Sequence, residues 1–189
     1  MSKVTTRIRN GVDTEQLFAT INILKMEPGL AHFQFRGVNR WIQGAHSRTA
    51  IRDFYGAGEE DRSRTESFVI DAGEPKILLG QDTGANPCEH LLHALAACLT
   101  TSVVYVAAAR GIKLTEVESR LEADIDLRGA LGISDEHRNG FERIRAAFTV
   151  KGDASDVELR ALVDRAKERS AILDVLMNGV PVDLEVATA

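Results

Sequence analysis

Cys98 and Cys88 are the two thiols of the chain, and His90 and His93 lie between them. Upstream, Arg36, Arg40, His46, Arg48 and Arg52 crowd one polar stretch. A cysteine is a nucleophile only as its thiolate, and a neighbouring cation or a helix N-terminus favours that form. Cys98 sits among small and apolar residues, Ala94, Leu95, Ala96, Ala97 and Leu99. It is therefore either a core filler or a shielded reactive thiol. Two imidazoles three positions apart on a helix can share a metal, but no third ligand is spaced to complete the set, and no metal is expected. A glycine-rich phosphate loop, zinc-type Cys/His spacing and a serine nucleophile elbow are all missing from the sequence.

The element that must position Cys98 is a helix. Asn86 is a fitting N-cap and Pro87 suits the first turn. The apolar pattern runs to Arg110, and Gly111 reads as the stop. At about 100° per residue, Leu91, Ala94, Leu95, Cys98, Ser102 and Tyr105 fall on one stripe. Ten residues of helix separate Cys88 from Cys98 by about 15 Å. A disulfide needs Cα atoms within about 7 Å, so an intact helix excludes a bond between them in one chain.

Around that helix the chain reads as α+β. Residues 11–30 carry helical spacing, capped by Asp13 or Thr14 and ended by Pro28-Gly29. His32 to Phe54 reads as a hairpin turning at Gly44-Ala45, and Tyr55 to Glu66 as a loop. Ser67–Ala72 and Lys76–Leu79 read as short strands, and Gly80–Asn86 as a loop. After the helix, Val117 to Leu127 and Ile144 to Val150 alternate as two strands about a polar turn. Ser155-x-x-Glu158 is a capping box opening a second long helix, which continues, straight or kinked, through Leu173 and Leu176 to Asn178-Gly179. Val180 to Val186 alternates as a final strand. Without regular βαβ alternation, the expected architecture is two mainly antiparallel sheets with two longer helices. The expected division is an N-terminal extension, 1–30, and one domain, 31–189.

Composition fits a globular domain: 189 residues, 44% hydrophobic and 27% charged. With a formal charge of −5 and no basic run, nothing calls for nucleic acid. His90 and His93 interrupt the best apolar run, so no membrane span is expected. The polar start, Met1 to Asn10, lacks a signal-peptide core, and two cysteines without a disulfide framework fit a cytoplasmic location.

The segment from Gly84-Ala85-Asn86-Pro87 through Leu91-Leu92-His93-Ala94-Leu95-Ala96-Ala97-Cys98-Leu99-Thr100 resembles the central helix of the OsmC/Ohr family of osmotically inducible and organic hydroperoxide resistance proteins. Gly111-Ile112, Phe141-Glu142-Arg143-Ile144, Gly152-Asp153-Ala154-Ser155 and Gly179-Val180-Pro181-Val182 fit the same pattern. The resemblance covers roughly Phe33 to Val186, and the N-terminal helix with Asn39-Arg40-Trp41 is similar to a longer OsmC-like subgroup.

The resemblance implies an intertwined homodimer with active sites at the subunit interface. It implies a peroxiredoxin-like thiol peroxidase for small organic hydroperoxides, without a cofactor. Cys98 matches the peroxidatic cysteine, which becomes a sulfenic acid. The family's activating arginine falls on Arg48 as first choice and Arg40 as second, and His46 is a further candidate to line the site. The family's resolving cysteine falls on Ser170, which cannot form a disulfide. Its helix-start glutamate falls on Cys88, and Glu89 follows one helical step on. The expected function is thus a stress-response protein with a one-cysteine cycle and an external thiol reductant. The alternative is a non-catalytic dimeric module that binds a small hydrophobic ligand at the subunit interface.

Overall fold

The computed structural model describes residues 8–188. The chain forms two compact units, one of Asp13–Leu91 and one of Ile8–Val12 with Leu92–Ala189. The architecture is α+β with antiparallel pairing, as expected, but the strands among the described residues form four small sheets instead of two.

Strands β1 (Ile8–Arg9) and β2 (Val12–Asp13) form a tight hairpin. Asn10 and Gly11 both take positive φ, 51° and 78°, which a two-residue hairpin turn of matching twist requires. That turn delays the first helix, which spans α1 (Thr14–Met26) and not residues 11–30. Asp13 caps it, accepting from the backbone N–H groups of Glu15 and Gln16 at 3.1 Å each.

The first unit then holds β3 (Gln34–Phe35), β4 (Val38–Gln43), β5 (His46–Ile51), β6 (Phe54–Gly56), β7 (Glu59–Asp61) and β8 (Phe68–Ala72). They pair as β4-β5-β8 and β3-β6-β7. The hairpin β4–β5 turns at Gly44-Ala45, as the sequence predicts. The stretch read as a loop from Tyr55 instead contains the β6–β7 hairpin, because Ala57 and Gly58 adopt positive φ, 52° and 88°. Gly56 is required there: the Phe33 ring lies where a Cβ would be, 2.3 Å away. Lys76–Leu78 is one 3-10 turn and not a strand, and Leu79 leaves it in the left-handed region at φ 62°. No hydrophobic side chain of the described residues in this unit is fully buried.

Helix α2 (Pro87–Ala109) is unbroken and ends where Gly111 takes φ 77°. By length and composition it is apolar enough to cross a membrane, which corrects the reading that His90 and His93 interrupt it. Four of its five buried positions, Leu95, Leu99, Val103 and Ala107, step by four; these and Ala108 belong to the core of the second unit. That stripe is offset from the expected one, since Leu91 and Tyr105 are exposed.

The second unit continues with β9 (Leu114–Asp124), α3 (Leu127–Ala130), β10 (Arg143–Gly152), α4 (Asp156–Arg169) and α5 (Ala171–Asn178). β9 and β10 pair in register, Leu121 opposite Ala146 and Ser119 opposite Phe148. The capping box at Ser155 and Glu158 opens α4, whose Leu159, Leu162 and Ala166 meet Val103, Ala107 and Ile112 in the core. Val180 to Val186 forms no strand: Val180, Val182, Leu184 and Val186 are 58–88% exposed. Its alternation is that of a strand, but no edge among the described residues pairs with it.

Candidate functional site

Cys98 is half-buried on α2, beside the fully buried Leu99 and Leu95. Its partner comes from the break between α4 and α5. Ser170 leaves the helical region with φ −76° and ψ 114°, so the helix expected to run on, straight or kinked, is two helices. The Ser170 side chain serves as N-cap of α5: its Oγ accepts from Leu173 N–H at 3.1 Å. The same hydroxyl donates to Cys98 Sγ at 3.2 Å, and Ser170 is only 3% exposed. A hydroxyl has one proton and two lone pairs. With a lone pair engaged by Leu173, the proton is directed to sulfur.

In the first unit, strand register places Arg48 on β5 opposite Arg40 on β4 and opposite Asp71 on β8. Asp71 Oδ1 accepts from Arg48 Nε at 2.8 Å and lies 2.7 Å from His46 Nε2. Arg48 Nη2 reaches Oδ2 at 3.3 Å. These bonds, Arg48 first and His46 second, hold the Asp71 carboxyl below the usual carboxylate range. In return Asp71 raises Arg48 above its ordinary value. The backbone carbonyl of Asp71 is 3.2 Å from His90 Nε2, which engages one of the two imidazoles read as metal candidates. Arg40 makes no hydrogen bond or ion pair among the described residues. Asp71 is invisible as a site residue in the sequence, where it is one acid in a short apolar strand. Only the β5–β8 register brings it to Arg48.

At the start of α2, Asn86 Oδ1 accepts from Glu89 N–H at 2.8 Å, and Glu89 Oε2 accepts from Asn86 N–H at 2.8 Å. Glu89 is therefore the N3 acid of a capping box. Cys88 is half-buried one residue before it and, like Cys98, is free. In the second unit, Asp126, His137 and Glu142 bring ligand-type atoms within 4.8 Å of one another. Arg128 already engages both Asp126 oxygens and drives that carboxyl strongly down, so the acid is neutralised without an ion.

A half-buried thiol on a long central helix, met by the residue that starts a later helix, is the arrangement expected of an OsmC-type thiol protein. Residues 80–185 match the family model described as OsmC-like protein, and the chain belongs to that family. Solved structures share the fold. An OsmC-like protein from Mycoplasma pneumoniae is 15% identical, with a TM-score of 0.57, covering 77% of this chain and 88% of that one. An OsmC-like protein of unknown function from Vibrio cholerae is 11% identical, with a TM-score of 0.51, covering 75% and 92%. A hypothetical protein from Aquifex aeolicus is 16% identical, with a TM-score of 0.52, covering 76% and 86%. No curated protein matches the chain by sequence.

Proposed function

We propose that this chain is a one-cysteine thiol peroxidase for small organic hydroperoxides. The observation that carries the reading is the Ser170 hydroxyl on the Cys98 sulfur. In the first step the Cys98 thiolate attacks the distal peroxide oxygen. The O–O bond breaks, an alcohol leaves with a proton, and Cys98 becomes a sulfenic acid. An external thiol then forms a mixed disulfide with Cys98 and releases water. A second thiol attacks that disulfide, regenerating the Cys98 thiol and leaving as a symmetric disulfide. Ser170 donates a hydrogen bond to sulfur at the start and supplies no sulfur for an internal disulfide. Arg48, with Arg40 second, is the cation assigned to steadying the thiolate.

The unit of function in this reading is a homodimer. Phe35, Trp41 and Phe68 are 74%, 73% and 62% exposed, and the alternating Val180–Val186 segment pairs with no strand among the described residues. A second copy covers such surface. Sedimentation at micromolar concentration is expected to show a dimer, and a monomer overturns this part of the reading.

The chemistry is tested by adding cumene hydroperoxide and trapping sulfenic acid with a dimedone-type probe. Labelling of Cys98 is expected, with none in Cys98→Ser. An unlabelled Cys98 at modest peroxide excess removes the peroxidase reading and leaves the ligand-binding one.

A further inference from the structure

A cavity of about 590 Å3 lies along the α4–α5 break and ends on Ser170, the residue whose hydroxyl touches Cys98. Its charged wall comes from Asp164, Lys167 and Glu168 on α4 and Asp174 on α5. Arg165 pairs with Glu168 at 2.7 Å, so that acid is compensated. Asp164 and Asp174 then face a single cation, Lys167, and the cavity carries an excess of negative charge. Leu173 and Met177 supply an apolar strip beside it. The volume suits a small molecule with a short alkyl chain.

We infer that this cavity seats the non-protein half of a Cys98 mixed disulfide, and that it selects low-molecular-weight aminothiols over anionic thiols. The inference rests on the reading of Cys98 as a reactive thiol. An aminothiol has a short carbon chain for Leu173 and Met177 and an ammonium for Asp164 and Asp174. A thiol bearing a carboxylate meets the same acids with the wrong sign. The step is an exchange. On the sulfenic acid the incoming thiol sulfur bonds to Cys98, the S–O bond breaks and the oxygen leaves as water; when the Cys98 thiolate attacks a disulfide, one sulfur of that disulfide bonds to Cys98, its S–S bond breaks and the other half leaves as a thiolate.

The second form of the exchange needs no peroxide and gives the cleaner experiment. The reduced protein is treated with three symmetric disulfides, cystamine, hydroxyethyl disulfide and dithiodiglycolate, which carry positive, neutral and negative groups. Modification of the Cys98 peptide is followed by mass spectrometry, relative to free cysteine under the same conditions. Cystamine is expected to outpace dithiodiglycolate by about tenfold at low salt, the scale of one excess charge acting over a few ångströms near water. Asp164→Asn is expected to narrow that ratio and Lys167→Gln to widen it, both being exposed positions on α4. High salt should narrow it in every case. Equal rates for the three probes, or a ratio unmoved by both substitutions, overturn the cavity assignment while Cys98 remains a reactive thiol. Inertness of Cys98 toward all three probes overturns the reactive-thiol reading as well.

Discussion

Ser170 Oγ stands 3.2 Å from Cys98 Sγ while also accepting the Leu173 amide that begins α5. The two residues are 72 positions apart, so the tertiary fold, and not local geometry, creates the contact. A sulfur in place of that oxygen needs to approach by only about 1 Å to reach disulfide bonding distance. Ser170→Cys is therefore expected to convert the one-cysteine cycle into a two-cysteine one. Peroxide should oxidise this variant to a disulfide between Cys98 and the introduced thiol, seen as a cross-linked peptide on non-reducing mapping, with dimedone labelling suppressed. Persistent labelling without a cross-link would show that the contact cannot mature into a bond.

Asp71 links charge to pH. Its folded carboxyl lies below the ordinary value, so its contribution to stability is complete at neutral pH and is lost as pH falls through the folded value, below about 4. Asp71→Asn should be less stable than the parent protein at pH 7. The difference should shrink in urea titrations repeated at about pH 4 and about pH 3, as the parent's carboxylate takes up its proton. A difference independent of pH contradicts the Arg48–Asp71 linkage.

Leu162 is fully buried between α4 and α2, beside Val103 and Ala107. Leu162→Ala leaves a cavity there and should cost about 3 kcal/mol in urea unfolding. The loss should appear as a lower midpoint without a changed slope. A cost below about 1 kcal/mol would mean the core collapses around the gap.

The Asn86–Glu89 box gives a prediction of a different kind. Asn86→Ala should cost about 1 kcal/mol of stability through the lost cap. Glu89→Gln, which can still accept from the Asn86 amide, should keep both the fold and the dimedone-labelling rate of Cys98 within about twofold. A large fall in labelling with stability intact would return Glu89 to the chemistry.

The parts of the fold legible in the sequence are those set by local rules. Asn86, Pro87 and Gly111 bound α2 correctly because caps and stops act within one turn. Ser155 and Glu158 do the same for α4. The β6–β7 hairpin is hidden because Ala57, an ordinary residue, takes positive φ beside Gly58. The α4–α5 break reads as one helix with at most a kink, because Ser170 is tolerated inside a helix and caps one only when its hydroxyl faces the next turn. The Cys98 position follows from the sequence, but its Ser170 contact is legible only through resemblance to a family. Asp71 is not legible at all, since register between strands leaves no local mark.

The hairpin at residues 8–12 shows the same principle on a larger scale. Asn10 bonds the Ile112 carbonyl at 2.9 Å and the Leu114 amide at 2.9 Å, and Arg9 bonds the Gly111 carbonyl. These partners lie 102–104 positions downstream, with residues 13–91 of the first unit between them. The second unit is thus assembled from two pieces of chain, with residues 13–91 intervening in sequence. A ribosome releases residues 8–12 long before the α2–β9 corner that receives them. The short piece has to wait, unpaired, while about a hundred residues are made. Within the second unit, residues 8–12 are made first and are among the last to find their place.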